Sequence, residues 1–152
     1  MLLDDKQGIA CDYCGTQHRK EFSYYSVEVR QGRSQGGRTL PLDIIRRAPV
    51  QFEFDLCEDC EHSVAHTAVT NYRAVPVGVV CDLTGVWLNG DFVYYYVDIT
   101  GVSVKVTRSG NAEVTTRPRH LELTISAAAY ADVSHKVRER RKVDTGWRTT
   151  TQ

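Results

Sequence analysis

Hydrophobic and polar positions alternate along several stretches of the chain. In VQFEFDL, residues 50–56, Val50, Phe52, Phe54 and Leu56 interleave with Gln51, Glu53 and Asp55, the two-residue period of a strand with one buried face. KEFSYYSVEV, residues 20–29, is rich in the aromatic and β-branched side chains that suit a pleated surface and predicts another strand. Beyond Cys60 the period lengthens: Val64, Ala65, Ala68, Val69 and Tyr72 form one stripe of an α-helix, with Asp59 and Glu61 at its start and Pro76 closing the pattern. The rest reads mostly as strand. VWLNGDFVYYYVDI, residues 86–99, sets Asn89-Gly90 between two apolar runs, the signal of a two-residue hairpin turn. VSVKVT (102–107), AEVTT (112–116) and LELTI (121–125) predict further strands, with RSGN (108–111) as a turn. Ser126 then caps a helix over about 127–143, with Tyr130, Val133 and Val137 on its inner side. RQGRSQGGR, residues 30–38, is too polar and glycine-rich to bury apolar area and predicts a mobile connection or hairpin tip. No internal repeat stands out.

These elements predict an α+β fold. A small module spans residues 1–75, and an antiparallel β-sheet with a C-terminal helix spans 76–152, packed with the first module as one unit or standing beside it. With 152 residues the chain suits one core or two small modules that share one, provided something reinforces the smaller.

Charge narrows the partners. Lys plus Arg and Asp plus Glu each number 19, for a formal net charge of zero, so no overall field draws the protein to nucleic acid or an anionic membrane. Any such contact must come from a local patch. The start, MLLDDKQGIA, has only two consecutive leucines before an acidic pair and does not read as a signal peptide, so the expected compartment is the cytoplasm. There, five cysteines argue for metal rather than disulfides.

Four of them are paired: Cys11 and Cys14 in CDYCG, Cys57 and Cys60 in LCEDC. Zinc takes four soft or borderline ligands in a tetrahedron, and two Cys-x-x-Cys turns deliver two thiolates each. A site so filled has no open position for water, which predicts a structural and not a catalytic ion. His18, His62 and His66 flank the thiols and are expected in solvent, with ligation in place of a cysteine as their other role. Cys81, in CDLTG, lacks a partner and reads as a small buried hydrophobe. The order pair, strand, loop, strand, pair, helix over residues 9–73 resembles treble-clef zinc fingers, with zinc ribbons as the near alternative. CDYCG and FDLCEDC are also similar to small uncharacterised zinc-finger proteins of bacteriophages, which implies a place in the virion as capsid, connector or tail component.

Catalytic signatures are missing from the sequence. Treble-clef nucleases carry a histidine-bearing hairpin between their zinc pairs, whereas here only His18 lies between Cys14 and Cys57, and no HExxH, GxSxG or phosphate loop occurs. The expected function is therefore a non-catalytic, zinc-stabilised structural or adaptor subunit that binds other protein subunits. The strand DFVYYYVD is apolar on both sides; Phe92, Tyr94 and Tyr96, together with Trp147 near the C-terminus, are the expected partner-binding residues. The alternative is a nucleic-acid-binding regulator that uses Arg33 and Arg38 in the glycine-rich stretch and Arg138, Arg140 and Arg141 on the last helix.

Overall fold

The computed structural model describes residues 9–18, 22–106 and 109–150, with side chains over 10–17, 23–105, 109–111, 113–117 and 121–142. Two short strands, β1 (Ile9–Ala10) and β2 (Gln17–His18), flank the first Cys-x-x-Cys turn. Then come β3 (Phe22–Ser34), α1 (Leu42–Ile45), β4 (Val50–Leu56) and α2 (Glu58–Asn71). After a connection over 72–78, β5 (Val79–Val80) and β6 (Trp87–Leu88) flank a second turn. The chain continues through β7 (Phe92–Val106), β8 (Ala112–Ser126) and α3 (Ala127–Thr150).

Strands from both halves join in one four-stranded antiparallel sheet of order β4-β3-β7-β8. Alternation in the central strands turns Val27, Val29, Val97 and Ile99 to one face, and Phe54, Leu56, Leu123 and Ile125 of the outer strands join them. Ala68 of α2 and Ala129 and Val137 of α3 close over this layer, with Val64, Tyr130 and Val133 at its margin. Val27, Val137 and Ile99 are at most 1% exposed, and each such side chain contributes roughly 1.5–3 kcal/mol by leaving water. Ser126 caps α3 as expected, its Oγ accepting the Ala129 N–H at 3.1 Å. Among the described residues no helix is long and apolar enough to cross a membrane.

Several expectations needed correction. Of the polar stretch at 30–38, residues 35–38 form a tight tip, with Gly36 and Gly37 at positive φ between the bridged Gln35 and Arg38, but 30–34 belong to strand β3, where the Tyr94 ring on the opposite strand occupies the space beside Gly32 and a Cβ would come within 2.4 Å of it. The pieces 102–107 and 112–116 are not separate strands, since β7 and β8 are continuous and bulges near Ile99–Val102 absorb the irregularity. Asn89-Gly90 does not close a hairpin between its flanking runs. Both edges of β7 are taken by β3 and β8, so β6 pairs with β5 instead. On α2, Val69 and Tyr72 point to solvent, each 75% exposed, and the inward line runs through Val64 and Ala68.

Apart from α1, which only the first half has, the two halves also share one element order: a pair of two-residue strands around a turn, a long strand, a second strand, and a helix. This repeat escapes the sequence because little identity survives, chiefly Cys-Asp-x-x-Gly at 11–15 and 81–85 and Tyr-Tyr-x-Val-acid at 24–28 and 94–98.

Candidate metal centre

The first turn and the start of α2 bring Cys11, Cys14, Cys57 and Cys60 together, with all four Sγ atoms within 4.8 Å of one another. Local structure explains the convergence. Cys11 and Gly15 close a tight knuckle through the Gly15 N–H to Cys11 carbonyl bond at 2.9 Å, and Gly15 takes a φ of 78°, a region open to glycine. Cys57 is the residue just before α2, and Cys60 lies in its first turn, so β4 hands the chain to the helix at the site. The Tyr13 N–H points at Cys11 Sγ at 3.4 Å.

The spacing fits an ion. Cys14 Sγ and Cys57 Sγ are 3.7 Å apart and all four thiols are free. A disulfide needs about 2.05 Å, whereas a tetrahedron of sulfurs about 2.3 Å from a central metal has edges of about 3.8 Å. The four cysteines are thus positioned to hold one metal ion, with Cys11 and Cys57 buried and Cys14 at the surface.

The free thiols titrate apart. Partial burial tends to raise Cys14, yet hydrogen bonds from Thr16 and neighbouring thiols outweigh it and bring Cys14 down to about 6. Burial pushes Cys57 and Cys60 up, and the crowding of sulfurs adds to the rise at Cys60. Burial and the adjacent thiols also push Tyr13 up to about 12. A divalent ion on four thiolates leaves two negative charges. Cations of α3 gather around this centre: Arg140 packs on Gly15, Lys136 sits 4.4 Å above the Tyr13 ring, and Arg141 lies 3.3 Å from Asp12.

Asp12 is a residue the sequence reading missed. It is 2% exposed; its N–H donates to the Asp55 carbonyl and its Oδ2 accepts the Asp55 N–H at 2.7 Å, which pins the knuckle to the edge of β4. Its signal was the aspartate directly after cysteine in both CDYCG and CDLTG.

The other expected residues fall elsewhere. Tyr94 and Tyr96 are 2% and 3% exposed and are covered from within the chain: the Leu40 N–H donates to Tyr94 Oη, and Arg46 Nε to Tyr96 Oη. They therefore do not present a face to a partner. Phe92 is half-buried against Tyr94, and the side chain of Trp147 lies outside the described residues. His62 and His66 are exposed, and the described metal-ligating set consists of the four cysteines. The side chain of His18 is not among the described ones. Arg33 and Arg38 are exposed at one end of the sheet, Arg138 lies over the Phe52 ring, and Arg141 is engaged with Asp12 and the Glu53 carbonyl. Beside the knuckle, Tyr13, His135, Lys136, Glu139 and Arg140 line an open groove of about 420 Å³. Comparison of the chain with protein-family models, curated proteins and solved structures finds no match.

Proposed function

We propose that the four cysteines hold one zinc ion in a treble-clef-like module, and that the protein is a non-catalytic structural or adaptor subunit of a larger protein assembly, in the concrete case a phage virion component. The observation that carries this reading is the closed ligand set: four thiolates from one chain fill a tetrahedron and leave no place for a reacting water. An ion so held contributes folding energy to an N-terminal segment that has little core of its own. Exposed apolar side chains around the second turn, Val69, Tyr72, Val77, Val86 and Trp87, support an adaptor role, because a Trp and a Tyr among aliphatics suit a protein interface.

Metal analysis of the purified protein should give one zinc per chain. Chelation should then open residues 9–18 and the first turn of α2 to hydrogen exchange ahead of β3 and β7; unchanged protection after complete metal removal refutes the structural role. In its native source the protein should co-sediment with assembled particles, and recovery solely as a free monomer refutes the subunit reading.

The groove lined by His135, Lys136 and Arg140 favours a second reading, contact with nucleic acid. This predicts binding that falls steeply between about 50 and 200 mM salt and weakens on Arg140→Ala. No binding at low salt eliminates it.

A further inference from the structure

The second half of the chain repeats the first in register. One constant offset carries β1 and β2 onto β5 and β6, with the pairs Ile9–His18 and Ala10–Gln17 matched by Val79–Leu88 and Val80–Trp87. The turns they enclose are closed by the same bonds. Cys11 N–H to Thr16 carbonyl and Gly15 N–H to Cys11 carbonyl, at 2.8 and 2.9 Å, recur as Cys81 to Val86 and Gly85 to Cys81, both at 2.8 Å. Gly15 and Gly85 have φ of 78° and 77°.

Each knuckle docks on an outer strand through its aspartate. Asp12 exchanges two bonds with Asp55 on β4, and Asp82 exchanges two with Thr124 on β8. Within the sheet, Tyr25–Leu56 and Val27–Phe54 correspond to Tyr95–Ile125 and Val97–Leu123, and a register shift follows Val29 as one follows Ile99. Glu28 pairs directly with its own counterpart, Asp98, so the halves are related by a twofold axis between β3 and β7. The helices obey the same symmetry: Arg140 of α3 packs on Gly15, and Asn71 of α2 packs on Gly85.

This correspondence places Cys81, Thr84, Ser126 and Ala129 where the first half has Cys11, Cys14, Cys57 and Cys60. Chance would not be expected to reproduce the knuckle, the docking aspartate, the register and the bulge together. We propose that the chain is a tandem duplication of one metal-knuckle unit, and that the second knuckle keeps the backbone of a tetrathiolate site whose ion has been replaced by direct bonds.

The replacement is visible in the contacts. Cys81 is fully buried and accepts the Ser126 N–H at 3.3 Å, which ties the knuckle to the start of α3 without a metal. Ser126 Oγ turns to cap the helix, and Ala129, 3% exposed, packs in the core. Surrounding charge changed in step: where the first centre has Arg140 and Arg141 of α3 near it, the second has Asn71, the last residue of α2, and Tyr72 just beyond it at the matching sequence positions. A neutral knuckle gives those cations no work.

The proposal rests on the first centre holding a metal, and its test separates the two. Wild-type protein and the triple variant Thr84→Cys, Ser126→Cys, Ala129→Cys are loaded with cobalt(II) or zinc, freed of excess ion, and assayed for metal content. The expected result is one ion per chain in wild type and two in the variant, with the thiolate-to-cobalt absorption per chain doubled. A folded triple variant that still holds one ion overturns the proposal, as would two ions in wild type. A wild type with none would fail the metal reading alone. The double variant Thr84→Cys, Ser126→Cys covers the case of a misfolded triple variant and reads the geometry without a metal. With diamide as oxidant, a new thiol should form an intrachain disulfide with the other new thiol or with Cys81 beside them, the two electrons and two protons of the pair reducing diamide to its hydrazine, while zinc shields the first site. Failure of that bond to form in folded protein also overturns the proposal.

Discussion

Replacing Asp12 by alanine should be among the more damaging single changes outside the sheet. Its carboxylate is 3% exposed, accepts the Asp55 N–H at 2.7 Å and faces Arg141 at 3.3 Å. Truncation strands a backbone donor at the edge of β4, which costs about 1–3 kcal/mol. It also removes the counter-ion of Arg141. Breaking a fully buried pair costs about 3–5 kcal/mol, but Arg141 is 35% exposed and keeps the Glu53 carbonyl at 2.6 Å, so solvent screening reduces this part to about 1 kcal/mol. The sum is about 2–4 kcal/mol. Asp12→Asn keeps an acceptor for the amide and should lose about 1 kcal/mol, mainly the charge. Asp82→Ala is the internal control: the Thr124 N–H bond at 2.8 Å is lost, but among the described residues no cation pairs with Asp82, so only the stranded donor counts, about 1–3 kcal/mol and about 1 kcal/mol less than for Asp12→Ala. Urea denaturation of the metal-loaded proteins at neutral pH measures all three. Equal losses for Asp12→Ala and Asp82→Ala, within about 0.5 kcal/mol, would refute the part assigned to Arg141, and no loss for either would refute the docking role itself.

The remaining predictions concern protons and packing. Because Cys57 and Cys60 are pushed up, both are thiols in the metal-free protein at neutral pH, so zinc binding should release at least their two protons; calorimetry in buffers of different ionisation enthalpy counts them, and binding without proton release contradicts the assignment. Burial raises Asp82 above its ordinary 3.8, so the folded state holds its proton more tightly than the unfolded chain. The associated stability is present below that value and is lost as pH rises through the folded-state value. Asp82→Asn should therefore gain on wild type over that rise, and parallel urea midpoints across it would be the contrary result. Gly32→Ala should cost about 1–3 kcal/mol by overpacking, since the new methyl would meet the Tyr94 ring at 2.4 Å and disturb the Leu40 N–H bond to Tyr94 Oη; a thermal midpoint equal to wild type would be incompatible with that contact.

What the sequence disclosed follows from how local each signal is. The alternation in 50–56 matches β4, and the double Cys-x-x-Cys points to the metal centre, because two such turns supply the four thiolates of a tetrahedral site. Ser126 announces the start of α3 in the same local way. The Asn89-Gly90 hairpin failed because a turn motif records only chain direction, and the pairing was decided by β3, distant in sequence. Gly32 looked like a loop residue for a related reason: the partner that makes glycine suitable in a strand, Tyr94, is visible only across the sheet. The Tyr94 and Tyr96 face needed cover, as its apolar character implied, but the cover comes from the segment 39–46 of the same chain. The duplication was hidden because it survives in hydrogen bonds and register more than in side-chain identity.

The reach of each helix from one knuckle to the other has a consequence for how far a single ion at the cysteine cluster acts. α2 leaves the cysteine cluster and finishes with Asn71 donating to the Asp82 carbonyl, while α3 leaves the other knuckle and rests Arg140 and Arg141 on the cluster's own turn. Each knuckle is thus gripped by the start of one helix and a later turn of the other. Tightening either grip steadies both rods, so under the duplication proposed above the second knuckle could do without an ion and still be held.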